Sequence, residues 1–399
     1  MTTDDAHRYV GRSCFRTGPP RYVGAELEWL VAPVSDPHER VPLDQLRELV
    51  EVAGPLPGGG RVTYEPGGQL ELSSAPGDGL NDCWRRVELD TQHLRAALAR
   101  ADLTVLPSAI DPYREPHRQL VDDPRYAAME AYFDLRGING RLMMCSTTAV
   151  QVNLDAGADS TDVARRWKLL NRLGPTMVAA FANSPIQAGR VTGWKSSRQL
   201  VWQLLDPSRT SVPLGDDPVT SFADYALDAA VMLRRTATPP WTVNPGLSFR
   251  EWIERGDDRP TEDDLEYHLS TLFPPVRARG WLEVRYVDAQ PDGLWPVPVA
   301  VLTALVEDAQ ASAAALEAVE GLGGRWIQAA RHGLAIPELA AAASACFGAA
   351  LAALPRIGAD PALIDLVGDY AERYVDRARC PADDALDEGS FSPTTEELV

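Results

Sequence analysis

The chain has 399 residues, 45% hydrophobic and 24% charged, a globular mixture long enough for one large domain or two ordinary ones. Acidic residues outnumber basic ones 57 to 38, a formal charge of -19. That balance argues against sequence-independent nucleic-acid binding, which runs on Lys and Arg neutralising phosphate. The five cysteines (Cys14, Cys83, Cys145, Cys346, Cys380) are odd in number and show no CxxC pair, so neither a disulfide framework nor a tetrahedral zinc site is expected. No run approaches the roughly 20 apolar residues of a membrane span, and Met1 to His7 carries no secretory signal. A cytoplasmic protein without a membrane partner is expected, with a monomer as the working assumption.

In chain order, residues 1–17 read as a flexible tail. The segment 22–29 alternates, with Val23, Ala25, Leu27 and Trp29 on one side and Glu26 and Glu28 on the other, the period of a β-strand. A helix is expected at 43–53. Residues 62–73 read as a hairpin, because Pro66-Gly67-Gly68 is turn chemistry between two alternating runs. Helices are expected at 79–101 and 126–135. The segment 149–155 is a third alternating strand, with Gln151, Asn153 and Asp155 opposite Val150, Val152 and Leu154. Further helices are expected at 161–182, 225–234 and 261–272, the last opened by a capping box of Thr261 and Asp264. A fourth strand, 281–286, sets Glu283 and Arg285 opposite Leu282, Val284 and Tyr286. From 296 the chain turns Ala/Leu-rich and helical: one helix over 297–321, a short one at 325–333, and two entered by proline at 337–354 and 361–378. Residues 384–399 read as a second flexible tail.

A wet face on an antiparallel sheet is ordinary. Here, however, the polar faces collect Glu26, Glu28, Glu65, Glu71 and Glu283 with Arg285 as almost the sole base. Glu is depleted in strands, and like charges on neighbouring strands repel. Divalent cations would relieve that repulsion: Mg²⁺ takes carboxylate oxygens and often shares substrate phosphates. Five glutamates with the amide oxygens of Gln151 and Asn153 suit two or three such ions, and the arginine suits an anion held beside them. No GxxxxGK[ST], GxGxxG, HExxH or GxSxG motif occurs, and Lys195 lacks phosphate-loop spacing.

The motifs then take on a resemblance. Gly24-Ala25-Glu26-Leu27-Glu28, Glu65-Pro66-Gly67-Gly68 with Glu71-Leu72-Ser73, the run from Ser146 to Asp155, Asn183-Ser184-Pro185, the run from Gly193 to Arg198, the run from Asp224 to Asp228, and the run from His268 to Arg277 continuing through Glu283-Val284-Arg285 resemble the glutamate–cysteine ligases. The branch is the one shared by plant enzymes and the bacterial ergothioneine-pathway enzyme, to which Cys380-Pro381-Ala382-Asp383-Asp384 points. The resemblance implies a single catalytic domain over 18–383, with a helical part at 296–380. It implies an α+β fold akin to glutamine synthetase and guanido kinases: a curved antiparallel sheet whose concave face holds ATP and magnesium, with helices outside. It implies L-glutamate, L-cysteine and ATP as substrates and two or three Mg²⁺ ions. Carried over by motif, Glu26, Glu28, Glu65, Glu71, Gln151 and Glu283 would be metal ligands, and Arg285 would contact the transferring phosphoryl group. Arg198, Arg209, Thr147 and Asn153 would contact substrate or ATP. Two alternatives stay open: a glutamate ligase for another amine, and a binding protein that kept the fold without the catalysis.

Overall fold

The alternating segments pair into one sheet, in which β1 (Tyr22–Trp29), β2 (Arg61–Tyr64), β3 (Leu70–Ser73), β4 (Gly77–Asp78), β5 (Ala149–Asp155), β6 (Val276–Ala278) and β7 (Trp281–Asp288) are all antiparallel to their neighbours. Their order is β6-β7-β5-β1-β3-β2, with β4 paired to one end of β1. The computed structural model describes residues 1–389 except 216 and 257, together with 392–393. In β1 the burial alternates as the sequence requires, with Val23, Ala25, Leu27 and Trp29 buried and Glu26 and Glu28 half-buried. The apolar sides of β1, β5 and β7 join the main core, against which the helices Leu80–Arg100, Ser160–Phe181 and Pro296–Glu307 pack. That leaves the carboxylate side of the sheet free for another use.

Several expectations need correction. The first 17 residues are not a loose tail: Thr3–Ser13 is a helix opened by a capping box of Thr2 and Asp5, and it buries Ala6 and Val10 against the helix Pro218–Asp228. Residues 384–387 belong to the helix Pro381–Asp387, where Asp384 accepts hydrogen bonds from Arg373, Tyr374 and Arg379. Residues 390–391 and 394–399 of that expected tail lie outside the described residues. The single helix expected at 297–321 breaks into Pro296–Glu307 and Ala309–Ala318, bent by 104°. The cause is Asp308, whose carboxylate caps the new helix at the Ala311 N–H and pairs with Arg356. The helix expected at 225–234 lies earlier, at Pro218–Asp228, set by Asp217 as N-cap and Pro218 in the first turn. Among the described residues no single helix is long and apolar enough to cross a membrane. Two bent pairs meet that test jointly by length and composition, and both contribute buried residues to the core. All five cysteines are buried and unpaired.

Candidate functional site

Cross-strand register gathers the carboxylates. Glu28 on β1 lies opposite Glu71 on β3, and Glu71 lies opposite Thr63 on β2; Glu26 lies opposite Ser73 on one side and Gln151 on the other. Glu65 follows the end of β2, where its N–H closes the Pro66-Gly67-Gly68 turn onto the Gln69 carbonyl. Gly67 is obligatory there, because an added Cβ would sit 2.4 Å from the Cα and carbonyl oxygen of Cys145. Cys145 itself is buried, its thiol pushed up to about 12 by that burial.

Glu28, Glu65 and Glu71 each present one carboxylate oxygen, all within 4.8 Å of one another. They line a cavity of about 440 Å³ together with Glu26, Gln151, Thr147, Arg198 and Arg285. Arginines also line this cavity, but among the described residues none forms an ion pair with Glu28, Glu65 or Glu71, and the pull of Arg198 and Arg285 does not offset burial and mutual repulsion. Burial, and then repulsion from Glu71, pushes Glu28 up to about 7. Burial with Glu71 and Glu28 beside it holds Glu65 well above the usual carboxylate range. Glu26 rises to about 7, through burial and then Glu283 and Glu71. Three oxygen donors without nitrogen or sulfur suit a hard divalent cation. The donor set therefore fits the magnesium that the sequence calls for.

The other end of the row is built differently. Glu283 is fully buried and accepts from Arg277 Nε at 2.6 Å, Arg285 Nη1 at 2.9 Å and Arg279 Nη1 at 3.1 Å. Burial alone would raise its carboxyl, but Arg277 and Arg285 outweigh burial and hold it below the usual range. Burial in turn brings Arg277 down to about 10. Arg285 sits at a β-bulge: Val284 pairs with Val152 but Val287 pairs with Val150, so β7 carries one extra residue there. Bulges re-aim side chains beside functional sites. Arg285 Nη1 also donates to the Gln151 amide oxygen at 2.6 Å, while Gln151 Nε2 donates to Glu28 at 2.7 Å. Arg285 and Arg198 both line the cavity, and the Nε of each is buried without a hydrogen-bond partner among the described residues.

The sequence-derived site residues thus divide. Glu26, Glu28, Glu65, Glu71, Thr147, Arg198 and Arg285 meet at the cavity. Thr147 also donates to the Met143 carbonyl. Gln151 lines the cavity, but its amide oxygen serves Arg285 rather than standing free for a metal. Glu283 does not join the trio, because its oxygens are taken by three arginines. Asn153 is occupied at both ends, donating to Glu26 and accepting from the Trp281 indole, and it does not line the cavity. Arg209 is a structural residue: fully buried, it is tied to Asp206, the Thr271 and Ala230 carbonyls and the Tyr132 hydroxyl, away from the cavity. Lys195, which has no phosphate-loop spacing, pairs with Asp383 and so joins two of the sequence motifs. The sequence did not reveal Arg61, Arg125, Tyr126, Trp202 and Phe273 as cavity lining. No shared spacing marks them, since the start of β2, separate helices and a loop deliver them.

A family model described as Glutamate-cysteine ligase family 2 (GCS2) matches residues 22–398. The chain belongs to this family. It is 41% identical to "Glutamate--cysteine ligase EgtA" of Mycolicibacterium smegmatis, covering 97% of this chain and 91% of that protein. It is 42% identical to the protein of the same name from Mycobacterium tuberculosis, covering 96% and 89%. The chloroplastic glutamate–cysteine ligase of Arabidopsis thaliana is 30% identical over 63% of this chain and 50% of its own length. A bifunctional glutathione synthetase from Pasteurella multocida superposes with a TM-score of 0.53 at 15% identity, over 94% of this chain and 51% of that one, a likeness of fold.

Proposed function

We propose that this chain joins the γ-carboxylate of L-glutamate to the amine of L-cysteine at the expense of ATP, giving γ-glutamylcysteine for ergothioneine biosynthesis. The observation that carries the reading is the close trio Glu28, Glu65 and Glu71 lining one cavity with Arg285, in a member of a glutamate–cysteine ligase family. The detailed fold type would be that of glutamine synthetase and guanido kinases, with the carboxylate side of the sheet as its concave nucleotide face. Glu28, Glu65 and Glu71, with Glu26 beside them, would hold two or three Mg²⁺ ions. Bound there, magnesium would supply charge neutralisation for the phosphates of ATP.

The residues of this chain do the positioning. The glutamate γ-carboxylate attacks the terminal phosphorus, ADP leaves, and γ-glutamyl phosphate forms. The cysteine amine then attacks the acyl carbon and displaces phosphate. The Arg285 side chain lines the cavity with its Nη1 held by Glu283 and Gln151, which fixes the guanidinium's orientation. A fixed guanidinium of this kind stabilises the charge that develops on the transferring phosphoryl oxygens. Enclosure by protein strengthens that interaction relative to water.

Mass spectrometry of a reaction holding ATP, magnesium, glutamate and cysteine tests the proposal. The expected products are γ-glutamylcysteine, ADP and phosphate in equal amounts. ADP release that another amino acid stimulates and cysteine does not would replace the acceptor. Absence of magnesium-dependent ATP turnover would overturn the catalytic reading.

A further inference from the structure

Asp288 is the last residue of β7 and is 2% exposed. By strict alternation it would share the apolar side with Leu282, Val284 and Tyr286. The extra residue at the bulge returns it to the side of Glu283 and Arg285: Glu283 pairs with Asn153 and Asp288 with Ala149, four places apart on β5 and therefore on one face. A buried carboxylate is costly unless fully bonded, and this one is. Its Oδ2 accepts from the Asn183 N–H at 2.9 Å and the Ser184 hydroxyl at 2.8 Å, and its Oδ1 accepts from the Ser196 hydroxyl at 3.0 Å.

Each serine passes the constraint on. The Ser184 oxygen accepts the Arg198 backbone N–H at 3.1 Å, and the Ser196 oxygen caps the Gln199 N–H at 3.1 Å. Both N–H groups belong to the first turn of the helix Ser197–Leu205. The Arg198 guanidinium lies 3.7 Å from Asp288 Oδ1, donates to the Arg285 carbonyl at 2.7 Å and stands 4.6 Å from the Trp202 ring. Three contacts thus hold the guanidinium of a side chain that lines the cavity, and its Nε is buried without a hydrogen-bond partner among the described residues.

We infer that Asp288, through Ser184 and Ser196, is a positioning residue that sets the Arg198 guanidinium to receive a carboxylate of the amino-acid substrate. A single guanidinium, with Asp288 behind it and Trp202 against it, matches a single carboxylate; the phosphates of ATP would instead find their counter-charge in the magnesium held at the glutamate trio. The inference rests on the proposed ligase activity for the identity of that amino acid.

The test uses full-length Asp288→Asn and Ser196→Ala, with glutamate, ATP and cysteine varied in turn and glutamate binding followed by calorimetry. Asp288→Asn should raise the glutamate KM about tenfold, the value of one charge-assisted contact. The ATP KM and kcat should stay within about twofold, a selectivity that general loosening of the fold would not produce. In an Arg198→Ala background, Asp288→Asn should add nothing further. Equal rises in both KM values, no change in either, or additive effects with Arg198→Ala would overturn the inference. If Asp288→Asn lacks a cooperative melting transition, Ser196→Ala decides by the same split between KM values. A wild-type protein that makes no γ-glutamyl product removes the activity reading alone. Calorimetry then decides the inference: unweakened glutamate binding in the variant, or none in the wild type, overturns it.

Discussion

The two ends of the acidic row use the same residue in opposite ways. At the β7 end, Glu283 sits among Arg277, Arg279 and Arg285 and is charge-satisfied by the protein alone. At the β1–β3 end, Glu28, Glu65 and Glu71 meet within 4.8 Å, and burial and mutual repulsion drive Glu28 and Glu65 toward protonation. The first arrangement is framework: it builds the arginine clamp before any substrate arrives. The second is an open demand for positive charge from outside the chain. A stability measurement should therefore separate glutamates that one sequence pattern treats alike.

The largest effect should come from Glu283→Gln. Removing the one carboxylate among three arginines leaves buried cations unpaired, and calorimetric stability should fall by about 3–5 kcal/mol. A loss no greater than that of a surface substitution would break the comparison. Next in size is Arg285→Ala, which should cut turnover at saturating ATP and magnesium by on the order of 10²-fold or more, as loss of other preorganised charge stabilisers does; near-normal turnover would remove Arg285 from the chemistry. Glu65→Gln should act in the opposite sense from Glu283→Gln on the metal-free protein. Relief of a like-charge contact should raise its stability at pH 8 by up to about 1 kcal/mol, while magnesium ceases to raise the melting temperature.

The comparison also predicts a pH dependence. Burial and Glu71 raise Glu28 from 4.5 to about 7, so between those values the folded state holds more protons than the unfolded one. The contribution is fully present below about 4.5 and is lost as pH rises through about 7. Melting temperatures of metal-free protein should accordingly fall from pH 5 to 7.5, and added magnesium should restore more at 7.5 than at 5. Glu283 has the reverse sign: its lowered carboxyl stabilises above the usual carboxylate range and loses that contribution only in acid.

The sequence revealed this contrast only in part. Alternation was enough to place Glu26 and Glu28 on one face of Tyr22–Trp29, and the strand Ala149–Asp155 and the 62–73 hairpin follow equally directly. A local period needs no tertiary knowledge. What each carboxylate faces was not legible, since Glu71 and Glu283 have the same alternating context but different cross-strand partners. Arg277 and Arg279, which satisfy Glu283, arrive from β6 and the turn that follows it. Asp288 was hidden for another reason. A strand read as ending at residue 286 contains no bulge, and without the bulge residue 288 falls on the apolar side. Arg209 misled because an arginine near the right motifs can equally be a buried tie, which its bonds to Asp206 and two carbonyls make it. The helix Thr3–Ser13 was overlooked because its stripe is short, with only Ala6 and Val10 buried.

The central claim is that Glu28, Glu65 and Glu71 hold divalent cations that the folded chain needs for its chemistry. Manganese can stand in for magnesium at oxygen sites, and electron paramagnetic resonance follows its free concentration directly. Titration of the wild-type protein and Glu65→Gln with Mn²⁺ at pH 8 is the most direct test. Saturable binding in the wild type, weakened at least about tenfold in the variant, is the predicted result. Equal binding by the two proteins, or none by either in the presence of ATP, would contradict the account.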